Sequence, residues 1–327
     1  MDHSGLHQYQ TVCGTLCREN LGHCQPHEHI YITSTVDQLT CELTCINNLA
    51  KSIEEIRSYR RAGGMTAVDA NPLATGRDPL GLKDISRITG VNLIAVTGYH
   101  IPKFYPRGHW IYTEPEERLE ELFVSELQKG MYLGGSYFYP EYQTDIRAGL
   151  IKAVITSAGM EDAQTVKCLT AAGKAAVRTG ASIMVHTENR DVLRMIDFLA
   201  GRIGVATESI IVCHVDRQVE DLSIHEQVAS TGVFMEYDTI TLLKVHNNAS
   251  EIRMLLHMIE KGFLDQILIS TDPETNRLNA YGGLVGIDYI LKHFLPLLNL
   301  AGVSEEEIRR ITVENPARAL KMDGVSA

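Results

Sequence analysis

The chain has 327 residues, with 44% hydrophobic and 22% charged side chains and a formal net charge of -11. That length and apolar content admit one large α/β barrel or two medium domains with a substantial core, and exclude extensive disorder. The acidic balance argues against nucleic acid or an anionic membrane as partner, while leaving open a local cationic pocket for a small molecule.

Short apolar, β-branched segments alternate with longer helical patterns. In chain order the strand candidates are "HEHIYI" (27–32), "TAVDA" (66–70), "NLIAVTG" (92–98), "LIKAVIT" (150–156), "SIMVHT" (182–187), "SIIVCHV" (209–215), "GVFMEYD" (232–238) and "QILISTD" (266–272). Between them, residues 160–179 place apolar side chains at three- and four-residue intervals and stop at Gly180. "EIRMLLHMIEKG" behaves alike and stops at Gly262, and Ser304 with Glu307 forms a capping box near the carboxyl end. The stretch 99–147 exceeds a simple crossover, so a long loop plus a helix is expected there. Apolar strands with helical crossovers imply a parallel sheet covered by helices, and eight of them imply a closed (β/α)8 barrel. No linker or low-complexity run interrupts residues 1–327, so one domain is expected.

No apolar run is long enough to span a bilayer, and "MDHSGLHQYQ" lacks the apolar core of a signal peptide. Cysteines stand at 13, 17, 24, 41, 45, 168 and 213, an odd number, so reduced thiols in the cytoplasm are the expectation. The 13/17 and 41/45 pairs have metal-like spacing but lack the knuckle glycines of zinc ribbons, which disfavours structural zinc.

The chemistry-bearing side chains fall at strand ends. His27 and His29 lie in the first strand candidate, Lys152 in the fourth, His186 and His214 close the fifth and sixth, and Asp272 closes the eighth. The carboxyl-terminal ends of barrel strands form the active-site face. Lys152 to His186 is 34 residues and His186 to His214 is 28, each about one βα unit; His214 to Asp272 is 58, two units, so the seventh strand is expected to contribute none of this set. Residues i and i+2 of a strand share a face, so His27 and His29 point into the mouth together while Glu28 points away. Imidazoles with a carboxylate suit a borderline divalent metal. A lone barrel histidine is more often a hydrogen-bonded core residue, and HxH alone is weak; the joint pattern carries the argument. Lys152 has three readings: a deprotonated amine for Schiff-base chemistry, a salt-bridged ammonium, or a carbamate formed with CO2. Four nearby histidines favour the carbamate, because an ammonium would repel metals.

These residues, with "GGMTAVDANPLATGRDP", "TGYH", "AGLIKAVIT", "MVHTE", "CHVDR", "STD" and "VENPARAL", resemble the phosphotriesterase-related proteins of the amidohydrolase superfamily nearly end to end. The resemblance implies a (β/α)8 TIM barrel with a binuclear metal centre at the carboxyl ends of the strands. By position, His27, His29 and Asp272 would hold the more buried ion and His186 and His214 the more exposed one. Carboxylated Lys152 and a hydroxide would bridge the two. Zinc is the first expectation, with manganese and cobalt as alternatives. Such a pair lowers the pKa of its water and polarises the substrate's oxygen, and Asp272 would take the proton and pass it to the leaving oxygen.

The resemblance spans lactonases, carboxylesterases and phosphotriesterases, and the loops must decide. Tyr99, His100 and Lys103 follow the third strand, Arg217 the sixth, Lys244 the seventh and Arg277 the eighth; all six are candidate substrate-binding residues. Three cations from adjacent loops favour an anionic group on the substrate. The competing reading pairs Arg217 with Asp216 or Asp238 and leaves Lys244 solvated. A lactonase for a sugar lactone bearing phosphate or carboxylate is therefore expected. The alternatives are an ester or phosphoester hydrolase with the same centre, a non-catalytic metal-binding protein, and a metal-free Schiff-base aldolase, in which the histidines would have no role. Relatives of this kind are commonly dimers, so a homodimer is also expected.

Overall fold

A computed structural model describes residues 8–33 and 45–322. An antiparallel hairpin, β1 (Gln8–Thr11) and β2 (Gly14–Cys17), precedes eight parallel strands. These are β3 (Cys24–Glu28), β4 (Thr66–Asp69), β5 (Asn92–Gly98), β6 (Leu150–Ile155), β7 (Ile183–Thr187), β8 (Ile210–Val212), β9 (Phe234–Tyr237) and β10 (Ile267–Ile269). Each pairs with the next in chain order, as expected of a (β/α)8 barrel. The seam between β10 and β3 closes through loop and side-chain bonds. His27 N donates to Ser270 Oγ at 2.9 Å, Asp272 N to His27 O at 3.2 Å and Thr271 N to Glu28 Oε1 at 3.0 Å.

Strand alternation divides the apolar residues into two cores. Cys24, Val68, Ile94, Leu150, Met184 and Phe234 are among those that fill the barrel interior, with Tyr9 and Leu21 packed in the same cluster. Their neighbours, including Ala67, Leu93, Ile151, Ile183, Met235 and Ile267, face the helices. The hairpin is tied to the barrel by Val12 N donating to Leu93 O at 2.9 Å and by Tyr9 Oη donating to Ala317 O at 2.8 Å.

The crossover helices include α1 (Leu49–Ala62), α2 (Pro79–Thr89), α3 (Glu116–Gln128), α4 (Ala163–Thr179) and α5 (Asn248–Glu260). Asn48, Asp78, Asp162 and Asn247 cap all but α3 by accepting backbone N–H bonds. The expected stop of α4 at Gly180 is present, with φ 69°, and the Ser304–Glu307 capping box forms. The long 99–147 segment holds a short helix at Trp110–Thr113 and then α3, with Trp110 Nε1 donating to Gly135 O at 2.6 Å. No helix among the described residues is long and apolar enough to cross a membrane.

Two expectations need correction. The first barrel strand is Cys24–Glu28, not 27–32, because past Glu28 the chain leaves the sheet and Ile30 N binds the Asp69 side chain at 2.8 Å. Cys45 is disulfide-bonded, so the thiols are not all reduced. Cys13, Cys17, Cys24, Cys168 and Cys213 are free, and Cys41 lies outside the described residues.

Candidate metal centre

The interior register carries polar residues to the barrel mouth. Leu150 faces inward, so Lys152, two residues on, does too; Met184 and His186 stand in the same relation, as do Phe234 and Glu236. Gly98 lets β5 run close beneath the lysine: its φ is 102°, and a Cβ there would stand 1.9 Å from Lys152 O. His214 and Asp272 lie just past their strands with φ of 63° and 40°. Left-handed backbone is costly for such residues and is held here by surrounding bonds, a form of strain that gathers at functional sites.

The six expected ligand residues come together. His29 Nε2 is 2.9 Å from Asp272 Oδ1, and His27 Nε2 is 3.6 Å from the same oxygen. Lys152 Nζ is 2.9 Å from His27 Nε2. His214 Nε2 is 2.7 Å from His186 Nδ1. His27, Lys152, His186 and His214 are buried, and His29 and Asp272 are nearly so.

Burial keeps most of these rings neutral. It pushes His27 below its ordinary range, with the Lys152 charge adding to the effect, and pushes His186 down to about 4. His214 is pushed well down by burial and then by His186. Asp272 behaves oppositely: burial raises its carboxyl, but His27, His29 and His214 outweigh that and hold it well below the usual carboxylate range. His214 Nδ1 meets Asp238 Oδ1 at 2.7 Å and His186 Nε2 meets Glu188 Oε1 at 3.0 Å. With those nitrogens donating, the facing Nε2 and Nδ1 present lone pairs to each other. His29 Nδ1 is buried without a partner. Converging imidazole lone pairs, one low-pKa carboxylate and a buried lysine fit divalent ions of borderline softness.

Sequence reasoning missed the carboxylates of β9. Asp238 Oδ2 accepts from His27 Nδ1 at 2.8 Å while its Oδ1 holds His214, and Glu236 Oε2 lies 3.1 Å from His27 Nδ1. These contacts fix which nitrogen of each ring faces the site. The signal was in "FMEYD": alternation puts Glu236 and Asp238 on the face of Phe234, which points into the barrel. The seventh barrel strand supplies none of the six ligand residues, as expected, but carries the carboxylates that orient two of them. Glu28 points away as expected, accepting from Thr271 Oγ1 and from Gln25 Nε2, the latter at 2.5 Å.

A cavity of about 300 Å³ opens over this centre. His100, Lys103, Arg217 and Lys244 line it. Arg217 pairs with Asp272, at 3.4 Å, rather than with Asp216 or Asp238, and its Nε is unpartnered. Lys244 pairs with Glu274 at 3.2 Å, and Lys103 lies over the Phe104 ring at 5.1 Å. His100 Nδ1 accepts from Ile101 N at 2.8 Å, and burial pushes the ring well below its ordinary range, so its proton sits on Nε2 as a donor. Two expected substrate residues are placed elsewhere. Tyr99 is buried with its hydroxyl on Val154 O at 2.9 Å. Arg277 is spent on Thr271 O (2.8 Å), Asp272 O (3.0 Å), Ile240 O (2.7 Å) and Thr241 Oγ1 (2.9 Å), which makes it the tie between two loops.

Comparison with known proteins agrees with this architecture. The model of the phosphotriesterase family matches residues 7–320. A phospho-furanose lactonase of Mycoplasmopsis synoviae (strain 53) is 29% identical, over 96% of this chain and 92% of its own. An N-acetyltaurine hydrolase of Dictyostelium discoideum is 28% identical, over 84% of this chain and 74% of its own. The crystal structure of a lactonase from Listeria monocytogenes superposes with a TM-score of 0.87 at 27% identity, covering 97% of this chain and 100% of that one.

Proposed function

The chain belongs to the phosphotriesterase family of binuclear metal hydrolases, and from that premise we propose that it opens a lactone bearing an anionic group, such as a sugar lactone phosphate. The observation that carries the reading is the convergence of His27, His29, Lys152, His186, His214 and Asp272 beneath a cavity with cations on its wall.

His27, His29 and Asp272 would hold one divalent ion and His186 and His214 the other. When bound, such ions lower the pKa of a water and polarise the substrate's carbonyl. Asp272 is built to move the proton: its carboxyl is ionised, faces the cavity and is held by His29 and Arg217. In a lactone the leaving oxygen stays tethered, so the proton is delivered within one ring-opened product. His100 Nε2–H is a fixed donor at the cavity wall, suited to a substrate oxygen. Lys152 is fully buried, and its ammonium has no carboxylate within 4 Å among the described residues. An uncompensated buried ammonium costs several kcal/mol. Carbamylation removes that charge and supplies two oxygens between the ligand groups.

Lys103 and Arg217 support the anionic substrate: Arg217 makes its ion pair with Asp272 at 3.4 Å and both cations act on Glu188 at longer range, but Lys103 has no carboxylate within 4 Å among the described residues. Two relatives bear names of hydrolases for anionic substrates, a furanose phosphate and N-acetyltaurine. The test is a panel on zinc-loaded protein: phosphorylated and free sugar lactones, N-acetyltaurine, a neutral ester and an organophosphate triester. Charge-assisted bonds of about 1.5–3 kcal/mol put kcat/KM for the phosphorylated lactone roughly 10- to 100-fold above that for its free counterpart. Equal values would remove the anion reading, and turnover confined to the amide or triester would replace the lactone.

A further inference from the structure

A second group of ligand-type side chains lies behind the cavity wall. Asp216, His246 and Glu251 are buried, and one ligand atom from each falls within 4.8 Å of the others. Asp216 follows β8, His246 ends the loop after β9, and Glu251 is in the first turn of α5. None of the three belongs to the ligand set described above.

The bonding within the group is incomplete in one direction. Asp216 Oδ2 accepts from Thr239 N at 2.6 Å, but its Oδ1 has no partner. Neither oxygen of Glu251 has a hydrogen bond, although the residue is 0% exposed. His246 Nε2 is 3.0 Å from Glu251 Oε2, 3.6 Å from Asp216 Oδ2 and 3.1 Å from Thr239 Oγ1. Burying a carboxylate oxygen with no hydrogen bond is expensive, and here three such oxygens, Asp216 Oδ1 and both of Glu251, lie in one group. Ligand atoms each about 2.0–2.2 Å from one zinc ion stand roughly 3–4 Å apart, which the distances from His246 Nε2 match, and all three residues' ligand atoms lie within 4.8 Å of one another. His246 lies on the wall of a surface cavity shared with Val219, Asn247 and Ser250, so the group sits one side chain beneath the surface.

We propose that Asp216, His246 and Glu251, with Thr239 Oγ1, form a further divalent-cation site, for zinc or manganese, separate from the catalytic centre. The ion would neutralise both carboxylates and clamp the β9 loop, which carries Leu242, Lys244 and Val245 of the cavity wall, onto α5. Its role is structural, and it does not depend on the hydrolase reading.

The experiment counts zinc per chain by mass spectrometry after zinc loading and desalting, in the unaltered protein, E251Q, H246Q and H214N. E251Q and H246Q are expected to lose about one equivalent. H214N is expected to lose zinc from the other centre and keep this ion. Unchanged zinc in folded E251Q and H246Q overturns the proposal. Should those variants not fold, crystals of the unaltered chain soaked in manganese chloride decide it: an anomalous peak among the three side chains supports the site, and no peak there overturns it.

Discussion

His214 Nε2 stands 2.7 Å from His186 Nδ1, and the other nitrogen of each ring is already engaged, by Asp238 and by Glu188. Two neutral imidazoles therefore aim lone pairs at each other in a buried site, which is unfavourable until something electron-poor joins them. Metal removal should consequently cost stability as well as activity. A ligand that binds only the folded state stabilises it by about 4 kcal/mol at a thousandfold excess over its Kd. Calorimetry on chelator-treated protein is expected to show a Tm several degrees lower, restored by zinc. In His214→Asn the part of that zinc-dependent increment due to the ion on His186 and His214 should vanish. A Tm indifferent to both zinc and chelator would remove the metal reading.

Asp272→Asn separates holding metal from moving a proton. The amide keeps an oxygen toward His29 but has no basic site. Zinc content should remain near that of the unaltered protein while kcat falls by roughly 10²- to 10⁴-fold, the usual range for a lost general acid–base group. Near-normal kcat with full zinc would assign the shuttle to another residue.

The loop cations should divide into two kinds. Arg217→Met opens a cavity position, so KM for a phosphorylated lactone should rise about tenfold or more relative to its free analogue. Arg277→Met removes four hydrogen bonds to the loops after β9 and β10 and leaves buried carbonyls without donors. Each such orphan costs about 1–3 kcal/mol, so the effect should appear as a marked drop in Tm. A normal Tm in Arg277→Met with a KM effect confined to phosphorylated lactones would return Arg277 to the substrate site.

The barrel was legible because parallel strands buried on both faces leave near-continuous apolar runs, and the ligand positions because they recur about once per βα unit. Other features were less legible. Arg277 looks like a cavity cation in sequence; only the path of the two loops shows that their carbonyls surround it. Glu236 and Asp238 are readable from alternation in β9, but once-per-unit spacing marks ligands and not the groups that orient them. His214 and Asp272 reach the site through left-handed backbone, which no local pattern announces.

His23 offers a test of folded-state electrostatics away from the metal centre. Burial pushes its ring from 6.5 down to about 4, only partly opposed by a hydrogen bond with Gln25, and its Nε2 has no partner. The folded chain thus holds this proton less tightly than the unfolded one. Below pH 6.5 the unfolded state takes up a proton that the native state refuses, so stability falls as pH drops to about 4 and levels off beneath it. The shift is worth about 3 kcal/mol at the acid end and nothing near pH 8. His23→Leu removes the titration but keeps the backbone carbonyl that accepts from Met65 N at 3.1 Å and Thr66 N at 3.0 Å. Denaturant unfolding at fixed zinc, compared between the two proteins, should show the variant gaining on the unaltered chain as pH falls from 7 to 4. A stability difference independent of pH would mean that His23 titrates alike in the folded and unfolded states and that its burial does not lower its pKa.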